Sequence, residues 1–110
     1  MASTFRNSVT SLIGTTPTDL LAIAEGFRAT VIGFNVANVT DYDTVTISVW
    51  LTTDGSSAAY FIKDIAIPPN SSLKLITNGE KMILPEGYGL RIVCSQNDSV
   101  DAIVSYVELS

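Results

Sequence analysis

The stretch Thr44-Val45-Thr46-Ile47-Ser48-Val49-Trp50-Leu51-Thr52 alternates without a break. Val45, Ile47, Val49 and Leu51 share one parity, and Thr44, Thr46, Ser48, Trp50 and Thr52 share the other. A period of two belongs to a strand with one face on a core; on a helix the same residues would scatter around the axis. β-Branched residues also fit a pleated surface. Turn signals interrupt such segments roughly every eight to twelve residues, the spacing of a sandwich or barrel. They are Ala24-Glu25-Gly26, residues 38–43, Asp54-Gly55-Ser56-Ser57, Pro68-Pro69-Asn70, Asn78-Gly79, Pro85-Glu86-Gly87 and Gln96-Asn97-Asp98-Ser99. Asp54-Gly55 and Asn78-Gly79 suit tight hairpins, because glycine accepts positive φ.

Strands are expected at 19–24, 27–37, 44–52, 58–67, 72–77, 81–84, 89–95 and 100–109. Pro68, Pro69 and Pro85 fall between them, where a missing N–H does no harm. Residues 17–26 also admit a helix, capped by Thr18 or Asp19 and stopped by Gly26. So short a helix needs packing to survive, and a strand agrees better with the rest of the chain. The expected fold is all-β: an antiparallel β-sandwich of about eight strands, with a jelly roll as one arrangement that fits. Its core should hold Ile32, Phe34, Val36, Val45, Ile47, Val49, Leu51, Leu73, Leu75, Leu90, Ile92 and Cys94.

One hundred and ten residues make one domain. Residues 17–110 form the sandwich. Residues 1–16 are polar, with only Phe5, Val9, Leu12 and Ile13 as anchors, and read as an N-terminal arm that a neighbouring chain would hold. The last strand is apolar on both parities, with Val100, Ala102, Val104 and Tyr106 on one and Ile103, Val107 and Leu109 on the other. That suits a strand covered on both sides, the second cover coming from another subunit.

Only 15% of residues are charged and 46% are hydrophobic, a balance that favours burial of surface against other chains. The net charge is −5, and Arg6, Arg28, Lys63, Lys74, Lys81 and Arg91 are scattered, so neither nucleic acid nor an anionic membrane surface is an expected partner. No run approaches the length of a membrane helix, and the start does not read as a signal peptide. The three Asn-x-Ser/Thr triplets, at Asn38, Asn70 and Asn97, read as polar turns.

The chain has no histidine and one cysteine, so a Ser-His-Asp or Cys-His centre cannot be built from it, nor a zinc site of His and Cys. Cys94 lies in an apolar run and reads as core. Asp41, Asp43, Asp98 and Asp101 are turn carboxylates without the further ligands of a calcium loop, and Gly87-Tyr88-Gly89 lacks the helix and lysine of a phosphate loop. No catalytic residue, cofactor or metal is expected. Trp50, on the polar parity of its strand, is either an interface anchor or a residue covered by its own chain. An exposed platform of Trp50, Tyr60 and Tyr88 would instead suit a carbohydrate.

The order of segments carries a resemblance over most of the chain. It begins Phe27-Arg28-Ala29-Thr30-Val31-Ile32-Gly33-Phe34-Asn35-Val36-Ala37-Asn38, followed by Val45 to Leu51. It continues through Tyr60-Phe61-Ile62-Lys63-Asp64, the Pro68-Pro69-Asn70 turn before Leu73, and Leu84-Pro85-Glu86-Gly87. It closes on the alternating end, Val100 to Leu109. This pattern resembles the small β-sandwich virion structural proteins of tailed phages. It departs from them at Ala24-Glu25-Gly26, where a proline-glycine entry is common. The resemblance implies a non-enzymatic, homo-oligomeric virion component, foremost a capsid decoration or cement protein that binds the major capsid protein and copies of itself. A neck, tail or fibre component is the alternative. The interface residues expected for that role are Phe5, Leu12, Ile13, Trp50, Tyr60 and Tyr106.

Overall fold

The computed structural model describes residues 3–54, 56–76 and 81–110. Among them are nine strands and no helix: β1 (Ser3–Ile13), β2 (Thr18–Ala22), β3 (Arg28–Asn38), β4 (Val45–Thr53), β5 (Ser56–Ile67), β6 (Ser72–Ile76), β7 (Met82–Leu84), β8 (Tyr88–Cys94) and β9 (Val100–Leu109). One antiparallel sheet, sheet A, has the order β1-β9-β3-β6, with β7 also on β3; sheet B has the order β2-β8-β4-β5. This is the strand order of a jelly roll, in which successive strands cross from one sheet to the other. The exceptions are the β4–β5 hairpin and the step from β6 to β7.

Strands β6 and β7 are two parts of one interrupted strand. Both run antiparallel to β3, β6 along Phe34–Ala37 and β7 along Ala29–Val31. The expected tight turn at Asn78-Gly79 lies outside the described residues, but the strands on either side of it continue in one direction and do not pair with each other. The eight expected segments are β2 to β9, and β1 is a ninth strand beyond them. The segment at 17–26 supplies strand β2, paired with β8, and not a helix.

The inner faces of the sheets meet in one core, filled by Phe34, Val36, Val45, Ile47, Val49, Leu90, Ile92 and Cys94 as expected. Leu51, Leu73 and Leu75 are only partly buried at its margin. Ile32 is a correction: it is 42% exposed. The pairing of β3 with β9 shifts between Val31 and Gly33, so one extra residue sits in β3 there. A bulge of this kind puts two residues opposite one and resets the inward parity. Val31 and Phe34 therefore both point inward, and Ile32 points out.

The N-terminal segment is also corrected. It is not a free arm, because β1 pairs with β9 from Ser3↔Leu109 to Ile13↔Val100. The open backbone edge of β9 offers N–H and C=O groups along its length, and β1 satisfies them. One buried polar residue closes the opposite end of the sandwich. Asn38, 2% exposed, donates from Nδ2 to the carbonyl oxygens of Asp43 (2.8 Å) and Ile67 (2.9 Å), and its Oδ1 accepts from the Thr40 backbone N–H (2.9 Å). Both amide hydrogens are thus used within the fold, and this Asn-x-Thr triplet is a structural turn.

Candidate functional site

Strand registers place the outward-facing residues of sheet A in rows across the strands. Phe5 is opposite Val107, Val107 opposite Thr30, and Thr30 opposite Ile83. Four positions along, Val9 is opposite Ile103, Ile103 opposite Asn35, and Asn35 opposite Lys74. Between these rows lies Asn7–Ser105–Gly33, where the Ser105 hydroxyl donates to Asn7 Oδ1 at 2.6 Å. The two flanking rows are open to solvent: Phe5 is 79% exposed, Val9 69%, Ile83 69% and Ile103 44%. Strand β1 is inverted relative to an ordinary amphipathic strand. Its core-side parity holds Arg6, Ser8 and Thr10, and its outward parity holds Phe5 and Val9. Ser8 closes the rim between the sheets by donating to the Leu20 carbonyl at 2.6 Å.

A second feature lies on the same face. Asn35 Oδ1 is shielded from solvent and has no hydrogen-bond partner. It borders an open hollow of about 300 Å³ whose walls include Ile32, Ile103, Ser105 and Lys74. A shielded acceptor left unpaired is unfavourable by roughly 1–3 kcal/mol, so it marks a place where a donor would be stabilising.

The outer face of sheet B is organised differently. Its central row is Asp19–Arg91–Trp50–Tyr60. Arg91 pairs with the Asp19 carboxylate. Tyr60 stands edge-on to Trp50 with ring centroids 5.9 Å apart, and the Lys63 ammonium lies 5.2 Å from the Tyr60 ring centroid. Trp50 is thereby covered by its own cross-strand neighbours and is only 9% exposed. Its Nε1 is buried without an acceptor.

The expected interface residues therefore separate. Phe5, Leu12 and Tyr60 are exposed. Ile13 and Tyr106 are corrections: they are 2% and 8% exposed and belong to the core. Ile13 turns inward because the register shifts between Thr10 and Ile13, and Tyr106 shares the inward parity of Val104. Trp50 is covered within the chain and offers no flat exposed indole, and Tyr88 packs against the core. Sequence reasoning missed Ile83, Ile103 and Val107 as a joint surface with Phe5 and Val9. The two-sided apolar pattern of residues 100–109 was the signal for it.

The turn carboxylates do not converge on a cleft. Asp43 accepts from Gln96 Nε2 at 3.0 Å, and Asp101 accepts from the Leu12 backbone N–H at 2.8 Å. Asp41 and Asp98 are exposed, Asp98 in a turn with φ of 53°. Among the described residues no three His, Cys, Asp or Glu side chains are grouped to hold a metal ion.

No family model and no curated protein matches the chain. Among solved structures it is similar to a chain of the Bacillus endospore appendages, described as a family of disulfide-linked pili. The TM-score is 0.55, at 13% identity, over 98% of this chain and 88% of that one. The likeness is one of fold. The one cysteine here, Cys94, is 3% exposed and faces the core, so it presents no thiol for a link between copies.

Proposed function

We propose that this chain is a non-enzymatic structural subunit that assembles with copies of itself. The observation that carries the reading is the outer face of sheet A, where large apolar side chains from four strands, Phe5, Val9, Ile103, Ile32 and Ile83, stand exposed on one surface. Large apolar patches on small proteins mark interaction sites. The fold neighbour supports the same reading, because it comes from appendages described as disulfide-linked pili. The setting we propose is a phage particle, with the chain as a capsid decoration protein and a neck or tail position as the alternative. The sequence resemblance supports that setting. In such a role many copies brace neighbouring shell subunits, and weak single contacts add up through multivalency.

The test is sedimentation velocity of the purified chain over a wide concentration range, followed by electron microscopy of particles from its source with an antibody to the chain. Concentration-dependent oligomers and labelled capsids are expected. A chain that stays monomeric at every concentration overturns the self-assembly reading, and unlabelled particles overturn the virion setting.

A further inference from the structure

The two apolar rows of sheet A are related in a way that suits one occupant. They lie on either side of the Asn7–Ser105–Gly33 row, each two residues away along β9. A two-fold axis running across the strands over that central row would lay each row of one copy on the other row of its partner. Phe5 would then face the partner's Val9, and Val107 would face the partner's Ile103. The same operation sets Thr30 opposite the partner's Asn35 and Ile83 opposite the partner's Lys74, so the apolar match is centred on β1 and β9.

We infer that the outer face of sheet A is an isologous interface, on which a second copy of this chain docks by two-fold symmetry with Phe5 and Val107 against the partner's Val9 and Ile103. The inference rests on the self-assembly reading and specifies its geometry. Five large apolar side chains on four strands, 42% to 79% exposed, supply the apolar centre that an interface of roughly 800 Å² per partner needs, and the polar margin supplies the rest. Two sheets stacked face to face at about 10 Å are also an ordinary way for β-sheets to pack. A two-fold interface closes on itself, so this contact yields dimers and leaves further growth to other surfaces.

Residues on the axis face their own copies, and this gives the test. In a Cys94→Ala background, Ser105→Cys and Asn7→Cys are each treated with a short bis-maleimide, with Ser57→Cys on β5 as the control. Sedimentation and circular-dichroism melting are run on every variant, so that only folded protein is scored. The expected result is a covalent dimer from both axis positions and none from Ser57→Cys. Ile103→Asp, felt twice in a symmetric contact, should weaken dimerisation on the order of 100-fold without lowering the melting temperature. Oligomers that form without cross-linking at either axis position overturn this interface while leaving self-assembly intact. Protein that is monomeric throughout overturns both.

Discussion

The two outer faces of this sandwich are built from the same kind of cross-strand row and end in opposite states. On sheet B the row Asp19–Arg91–Trp50–Tyr60 covers itself: an ion pair at one end, an edge-on aromatic contact at the other, and the indole between them. On sheet A the row Phe5–Val107–Thr30–Ile83 has apolar side chains at both ends and nothing over them. An aromatic residue on the polar parity of a strand is therefore not by itself a sign of a partner. What decides is whether its register neighbours are long enough, and of the right chemistry, to fold over it. Trp50 has such neighbours; Phe5, on an edge strand, has Val107 on one side and solvent on the other.

Trp50→Ala should give the largest effect on the covered face. Removing a buried tryptophan costs about 3 kcal/mol or more, read as a lower urea midpoint, while association stays unchanged. If the variant were fully stable but failed to associate, the contrast between the faces would be reversed.

Two strand glycines sharpen the same contrast. A Cβ at Gly89 of sheet B would lie 2.8 Å from both the Leu21 carbonyl oxygen and Thr52 Oγ1, whereas one at Gly33 of sheet A would meet only Ser105, at 3.6 Å. Gly89→Ala should destabilise by roughly 2 kcal/mol, the range of overpacking, and Gly33→Ala should leave stability unchanged or raise it by about 0.5 kcal/mol. Thermal unfolding of the pair checks this; equal losses at both positions would mean that sheet A is as closely packed as sheet B.

Ile83→Asp tests the open face at its margin. Self-association measured by sedimentation should weaken about tenfold, or roughly 1.4 kcal/mol, with the unfolding midpoint within about 0.5 kcal/mol of the parent. A large loss of stability would show that Ile83 serves the fold. The smallest change is expected from Asp19→Asn. Its partner Arg91 and Asp19 itself have side chains 36% and 61% exposed, so solvent screens the pair and the loss should be at most about 0.5 kcal/mol, shrinking further in high salt.

Much of the architecture was legible because it is local. Alternation at Val45–Leu51 and the turn residues between segments mark strands through short-range sterics, and no helix intervenes among the described residues. The core positions Val45, Ile47, Val49, Leu90 and Ile92 followed from parity alone, since no register shift separates Leu90 from Ile92 in the β8–β4 ladder. Parity failed at two register shifts that put an extra residue in the strand itself. One extra residue near Ile32 turned that side chain outward, and the shift between Thr10 and Ile13 turned Ile13 inward.

By itself, then, the sequence determined that this chain makes strands, where most of them begin and end, and that no Ser-His-Asp or Cys-His centre can be built from it. Only the tertiary structure decided which side of each strand is covered. A period of two distinguishes two faces without saying which one meets the core, and that choice belongs to pairing partners far away in the chain. β1 shows the reason most directly. Its apolar parity suggests an inward face, yet pairing with β9 points Arg6, Ser8 and Thr10 toward the core side and leaves Phe5 and Val9 in solvent. The backbone hydrogen bonds of that ladder fix the register, and the side chains follow it.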